Sequence, residues 1–337
     1  MSKKLGLLVL SLIVGIGLTS SGLLFAMQPT QPVTAASTKL DRRLKMKKMP
    51  KHYRQLAADS QRGRVEQITY QTTYRNKTYQ KKALVYLPAG YATNATKRYD
   101  ILYLLHGATM SETSFLGHTG TDSTSRFKTL LDHEIAACKM KPTIVVTPTY
   151  YPDDRFVTSD YERDDPLNLA FARNELPNDL LPVVEKQYRT YARATDKKGL
   201  AAARRHRAFG GFSMGAITTW YVFEHDLNLF KYYVPMAGDS WTVAANGGGI
   251  APSKTATKLA RQMQRRDYQT TDFRILASVG GADGTSGSMA PQIRQMRQHP
   301  QQFTDQNLLY SIDAGGGHDL TSAANQAYNA FTQLFRK

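Results

Sequence analysis

At 337 residues and 41% hydrophobic content the chain can bury a full core, as one large domain as readily as two small ones. Its one cysteine, Cys138, excludes an intramolecular disulfide and any multi-cysteine metal site, and in LLDHEIAACKM it reads as apolar filler. The formal net charge of +17 points to anionic surfaces, yet no known nucleic-acid-binding motif accompanies it, so nucleic acid is not the expected partner.

The chain opens with an export address. Lys3 and Lys4 precede an apolar stretch over 5–27, and Val33, Thr34, Ala35 and Ala36 supply small residues for signal-peptidase cleavage. Residues 1–36 are therefore expected to be a signal peptide or, if uncleaved, an N-terminal membrane segment. No cysteine follows the run to take a lipid anchor. Export of a chain with almost no cysteine fits a secreted or cell-surface protein of a Gram-positive-like bacterium. Residues 39–54, KLDRRLKMKKMPKHYR, carry eight Lys or Arg against one Asp. Within a 37–60 leader or linker they read as a solvated tail or as a contact for anionic cell wall or lipid headgroups.

From there the pattern predicts one α/β domain over 61–337. Strands are expected near 64–71, 81–87, 100–105, 143–148, 207–212, 231–237, 273–279 and 307–312. Helices are expected near 125–138, 176–190, 214–225, 253–265, 288–298 and 321–335. The first strands follow one another closely, as in an antiparallel edge, and the later ones alternate with helices. That order implies a mostly parallel sheet of about eight strands flanked by helices, with its site at the strand C-terminal ends.

Gly211, Phe212, Ser213, Met214 and Gly215 form G-x-S-x-G between the strand ending near 212 and the helix-compatible AITTWYVFEH. This is the pattern of a nucleophile elbow, in which small flanking residues let a sharp turn present the serine hydroxyl. Met214, the next residue, would give one oxyanion-hole N–H; Ala108, after the strand-ending His106 and Gly107 of DILYLLHGA, is the candidate for the other, with Gly107 as its neighbour alternative. Asp283 in SVGGADG and His318 in DAGGGHD follow later strands, and Ser, Asp, His is the chain order of α/β-hydrolases. Asp239, in GDSW, is the rival acid and otherwise a substrate-binding candidate, while Asp272, Asp313 and Asp319 sit less suitably. Trp241, Tyr150 and Tyr151 also lie beyond strand ends, where they could wall an aromatic or sugar cleft or simply pack. No metal or other cofactor is expected. His133 and Glu134 begin an H-E pair, but the zincin pattern needs histidine where this chain has Ala137.

Beyond the elbow, RVEQITY, KKALVYLPAGY, YLLHG, PTYY, NELPNDLLPVVEKQY, RAFGGFSMG, PMAGDSW and GGGHD occur in that order from Arg64 to the C-terminus. Through these stretches the chain resembles the putative-esterase family of α/β-hydrolases, and within it secreted carbohydrate esterases of the feruloyl esterase and acetylxylan esterase type. It departs from the frequent Gly-Thr-x-Asp around the acid, having Gly280, Gly281, Ala282 and Asp283. The resemblance implies a serine esterase cleaving feruloyl, related aromatic or acetyl esters of plant polysaccharide through Ser213, His318 and Asp283. The alternatives are an extracellular acyltransferase of the mycolyltransferase type and a cell-surface binding protein that keeps the fold without turnover.

Overall fold

A computed structural model describes residues 43–336, so the expected export segment lies outside the described residues. Among the described residues nine strands form one sheet: β1 (Leu44–Lys45), β2 (Arg64–Tyr74), β3 (Lys77–Leu87), β4 (Asp100–Leu105), β5 (Thr143–Pro148), β6 (Arg207–Phe212), β7 (Tyr232–Met236), β8 (Arg274–Gly280) and β9 (Leu308–Asp313). Their order is β1-β9-β8-β7-β6-β4-β5-β3-β2. Only β2 against β3 and β3 against β5 run antiparallel. Every residue of β4, β5, β6 and β7 is buried, as in mostly apolar strands covered on both faces, the Arg207 guanidinium that opens β6 being paired with Glu185. The edge strand β2 instead alternates buried with solvent-facing positions over most of its length.

Helices cover the sheet in two groups. The helix α1 (Arg126–Ala136) packs on the C-terminal helix, while α4 (Met214–His225) packs on β6 and β7 among α2 (Tyr161–Ala170) and α5 (Pro252–Gln264), with α6 (Ser286–Met296) beside α5 and α7 (Leu320–Phe331) the partner of α1. One region differs from the sequence reading. The helix expected near 176–190 begins earlier: α2 runs into a π-helix (Phe171–Leu180) and then α3 (Leu181–Gln187). Pro166 lies inside α2, whose first turn Asp160 caps, and the wider π turn around Pro177 relieves the ring's clash with the preceding turn.

The basic stretch also differs. From Leu44 onward the expected leader is a strap on the domain: Leu44 and Lys45 pair in parallel with Ser311 and Ile312 of β9. Met49 and Tyr53 are buried, and the Tyr53 ring stacks on His133 with centroids 4.7 Å apart. The strap covers a sheet edge that would otherwise present unpaired backbone groups. Its charges hid its two apolar anchors, spaced four residues apart.

Candidate active site

All the loops that matter leave the C-terminal ends of parallel strands. Ser213 follows β6, Asp239 follows β7, Asp283 follows β8, His318 follows β9, and Ala108 follows β4. One edge of the sheet thus gathers side chains 105 residues apart in sequence.

Ser213 sits at φ 58°, ψ −119°, a conformation costly for any residue with a Cβ. What holds it is the packing of β6 against α4. A Cβ at Gly211 would run into Gly215 O and Leu105 O, and one at Gly215 into Leu105 O and His106 O, so no larger residue fits either position. The Ser213 N–H is tied to Met236 O at 3.0 Å. Met214 begins α4, and its N–H is one of the first-turn donors that no intrahelical carbonyl can accept.

His318 Nε2 lies 2.9 Å from Ser213 Oγ, and His318 Nδ1 lies 2.8 Å from Asp283 Oδ2. A carboxylate accepts only, so Nδ1 carries the proton and Nε2 is left to accept from the serine hydroxyl. Burial would raise the Asp283 carboxyl, but hydrogen bonds from His318 and from Thr285 outweigh it and hold Asp283 below the ordinary carboxylate value. Thr285 donates to Asp283 Oδ1 with its N–H at 2.8 Å and its hydroxyl at 2.7 Å, so both carboxylate oxygens are engaged. The rival Asp239 faces elsewhere: it accepts from Gly248 N at 2.8 Å and from Trp241 Nε1 at 3.3 Å, and burial raises its carboxyl.

The loop after β4 lies against the nucleophile, where a Cβ at Gly107 would approach Ser213 Cβ to 3.0 Å. Buried His106 reaches Gly107 O through Nδ1 at 2.7 Å and Thr149 Oγ1 through Nε2 at 2.8 Å. Burial lowers His106 to about 4, so its ring is neutral; the carbonyl fixes the proton on Nδ1. Since the Gly107–Ala108 peptide is planar and trans, holding its carbonyl toward His106 turns the Ala108 N–H the other way.

Of the two readings open from sequence, cleft wall or packing, Tyr150 and Tyr151 take the second and do not line the cavity at Ser213. They are 1% and 3% exposed and stand behind the oxyanion loop, packed on His106. Tyr150 OH donates to Asp164 Oδ2 at 2.7 Å, and Tyr151 OH accepts from Thr109 N at 3.0 Å. Their hydroxyls brace the loop because a buried phenol needs partners, and Asp164 on α2 supplies one. The cleft itself is a cavity of about 290 Å³ lined by Ser213, Asp283 and His318, with Trp241 and Asp239 also on its wall. Tyr161, Ile217, Asn246 and Thr285 line it too and were not anticipated. Only Thr285 had a sequence signal, a hydroxyl two residues after the acid, where side chain to backbone bonding is common. Among the described residues no group of three or more His, Cys, Asp or Glu is arranged to hold a metal ion.

A strand-to-helix nucleophile elbow on a covered, mostly parallel sheet makes the protein an α/β-hydrolase. More narrowly, the chain belongs to the family described as Putative esterase, whose model matches residues 78–334. It is 34% identical over 220 residues, 65% of its length, to endo-1,4-beta-xylanase Y of Acetivibrio thermocellus, of which the match spans 18%. It is 28% identical over 195 residues, 54% of its length, to an endo-1,4-beta-xylanase/feruloyl esterase of Xylanibacter ruminicola, spanning 23% of that protein. The chain therefore matches about a fifth of each of these curated relatives. Among solved structures, a feruloyl esterase module from Clostridium thermocellum in complex with sinapinate superposes with TM-score 0.72 at 30% identity, covering 87% of this chain and 95% of the module. A ferulic acid esterase from Anaeromyces mucronatus, solved with ferulic acid, shares the fold with TM-score 0.60 at 20% identity, over 87% of this chain and 98% of that one.

Proposed function

We propose that this chain is an exported feruloyl esterase that hydrolyses hydroxycinnamoyl esters of plant polysaccharide through a covalent acyl-enzyme on Ser213. The hydrogen-bonded line Asp283–His318–Ser213, opening on a cavity walled by Trp241 and Tyr161, carries the reading. Ser213 Oγ attacks the ester carbonyl as His318 Nε2 takes its proton; the carbonyl oxygen becomes an oxyanion that the Met214 and Ala108 N–H groups would bind. Collapse breaks the acyl–oxygen bond, and His318 returns the proton to the departing sugar alkoxide. Water then repeats the sequence, attacking the acyl-enzyme, giving a proton to His318, and releasing the hydroxycinnamate as Ser213 recovers its hydrogen. Asp283 keeps the histidine in the tautomer that both halves need.

The cavity wall supports an aromatic acyl group, because indole and phenol rings bury a planar ring better than a methyl group. The relatives named above, an endo-1,4-beta-xylanase/feruloyl esterase and a module bound to sinapinate, support the same class. Export and contact with anionic envelope polymers belong to the proposal as well, the exposed Lys47, Lys51 and Arg54 forming the outer edge of the strap. Steady-state kinetics on methyl ferulate, methyl sinapate and aryl acetates test the acyl preference. The expected outcome is kcat/KM on the hydroxycinnamates at least about tenfold above that on acetate, the scale of a modest pocket preference. Equal or reversed preference would move the substrate to acetyl esters, and product appearing on an added sugar hydroxyl rather than on water would make the enzyme an acyltransferase.

A further inference from the structure

The loop that carries His318 has little of its own to hold it. Gly315, Gly316 and Gly317 precede the histidine, Gly315 at φ 71° with open space around it, and three glycines in a row are the most freely moving backbone a chain can make. Its order comes from Asp313, the last residue of β9. The Asp313 carbonyl accepts from Gly281 N at 2.8 Å and Gly316 N at 2.9 Å, and Gly316 O accepts from Ala282 N at 2.9 Å, which locks the histidine loop to the loop of Asp283. The Asp313 carboxylate is 1% exposed. Its Oδ2 accepts from Asn325 Nδ2 at 3.1 Å, and its Oδ1 takes Lys48 Nζ of the strap at 2.7 Å. The same ammonium donates to Ala314 O at 2.8 Å, and the neighbouring Met49 N–H donates to Asn325 Oδ1 at 3.0 Å. Lys48, Asp313, Asn325 and Met49 therefore close a ring beneath the loop. The strap is anchored independently of it: Asn329 bonds both Lys47 N and Lys47 O, and Met49 and Tyr53 are buried.

We infer that Lys48 is a positioning residue for His318, so that a segment preceding the esterase-family match completes the active site from outside; this rests on the reading of His318 as the general base. A buried carboxylate needs a counter-charge, and Asn325 supplies none. Lys48 supplies it at low desolvation cost because its side chain is 59% exposed, and its second bond pins Ala314, four residues before His318. Without the ammonium, the Ala314 carbonyl and the Asp313 carboxylate lose their cationic donor, which loosens the Ala314–Gly315 end of the run and lets His318 Nε2 shift from Ser213 Oγ. A displacement of about 1 Å in such a constellation costs up to about a hundredfold in rate.

Lys48→Met and Lys48→Arg in the full chain test this on a soluble aryl ester, with kcat referred to folded protein by circular dichroism. The expected result for Lys48→Met is a kcat lower by about ten- to a hundredfold with KM within about twofold, since the cleft wall is untouched. Lys48→Arg should restore most of kcat. The double variant Lys48→Met/Asp313→Asn removes the buried charge together with its partner, so it folds where the single variant fails; its kcat should stay low because Ala314 O still lacks a donor. A parent-like kcat in either folded Met variant would overturn the inference, as would an Arg variant that folds and stays as slow as Lys48→Met. Ser213→Ala is run alongside. If it retains turnover, the proposed function fails; if it is inactive while Lys48→Met is parent-like, only the role of Lys48 fails.

Discussion

The two halves of the site are built in opposite ways. The Ser213 elbow is continuous in sequence, β6, Ser213 and α4 following one another, and its glycines are required because the backbone oxygens of Gly215 and of Leu105 and His106 at the end of β4 leave no room for a Cβ. The His318 loop leans on more distant parts: Gly315 faces open space, Gly316 is tight against the Asp313 carboxylate and Ser322, and the loop's order comes from Asp313, Asn325, the Asp283 loop and a strap 265 residues upstream of Asp313. A locally dictated turn tolerates nothing inside it. A remotely braced loop has room for a small change at Gly315 and fails when its braces go.

The largest effect should come from the elbow. Ser213→Ala removes the nucleophile without touching the core, so kcat should fall by about 10⁶-fold with an unchanged thermal midpoint. On the other half, Asp283→Asn should lower kcat by about 10⁴-fold by favouring the wrong His318 tautomer. Asp239→Asn, whose carboxylate bonds Gly248 and Trp241 rather than His318, should instead act on KM, by less than about tenfold. The reverse ranking in steady-state kinetics would exchange the two acids.

Glycine substitutions sharpen the contrast. Gly215→Ala puts a methyl group into Leu105 O and His106 O and should cost about 3 kcal/mol or more in chemical denaturation, or prevent folding. Gly315→Ala meets no atom but must keep φ 71°, so the cost should be about 1–2 kcal/mol, with activity largely kept. Comparable losses at the two positions would mean that the histidine loop is as tightly packed as the elbow.

The smallest effect concerns the brace behind the oxyanion loop. Burial raises Asp164 to about 6, above its ordinary 3.8. A carboxyl raised in the folded state holds its proton there more tightly than in the unfolded chain, so its contribution to stability falls as pH rises between those two values. Asp164→Asn lacks that loss. Relative to the parent, the variant should therefore gain stability between pH 4 and pH 7 in denaturant titrations, whatever constant offset the altered hydrogen bonds introduce. A constant difference across that range would mean that Asp164 keeps its ordinary acidity.

The elbow's local construction is why it could be read from sequence. Gly211 to Gly215, the apolar runs of β4 to β8 and the helix after Ser213 all state their structure within a dozen residues. Asp283 and His318 were legible through chain order and strand-end placement, though nothing in the sequence showed that Asp239 would be taken by Gly248 and Trp241. What could not be read depends on contacts across the fold. Tyr150 and Tyr151 lie beyond β5 as expected, but their direction is set by Asp164 and Thr109, so they brace the loop from behind. The part of the α2–π–α3 run before residue 176 depends on packing against α4, which the sequence does not state locally. The strap was hidden by its charge, because the carboxylate that Lys48 meets is assembled only when β9 and α7 have folded around it.

The central claim is that Ser213, activated by His318, is the nucleophile. Its most direct test is peptide mapping of the protein after reaction with a fluorophosphonate probe. A single adduct on Ser213, absent from Ser213→Ala and slowed by orders of magnitude in His318→Ala, is the expected result. Labelling of a different serine, or undiminished labelling without His318, would contradict it.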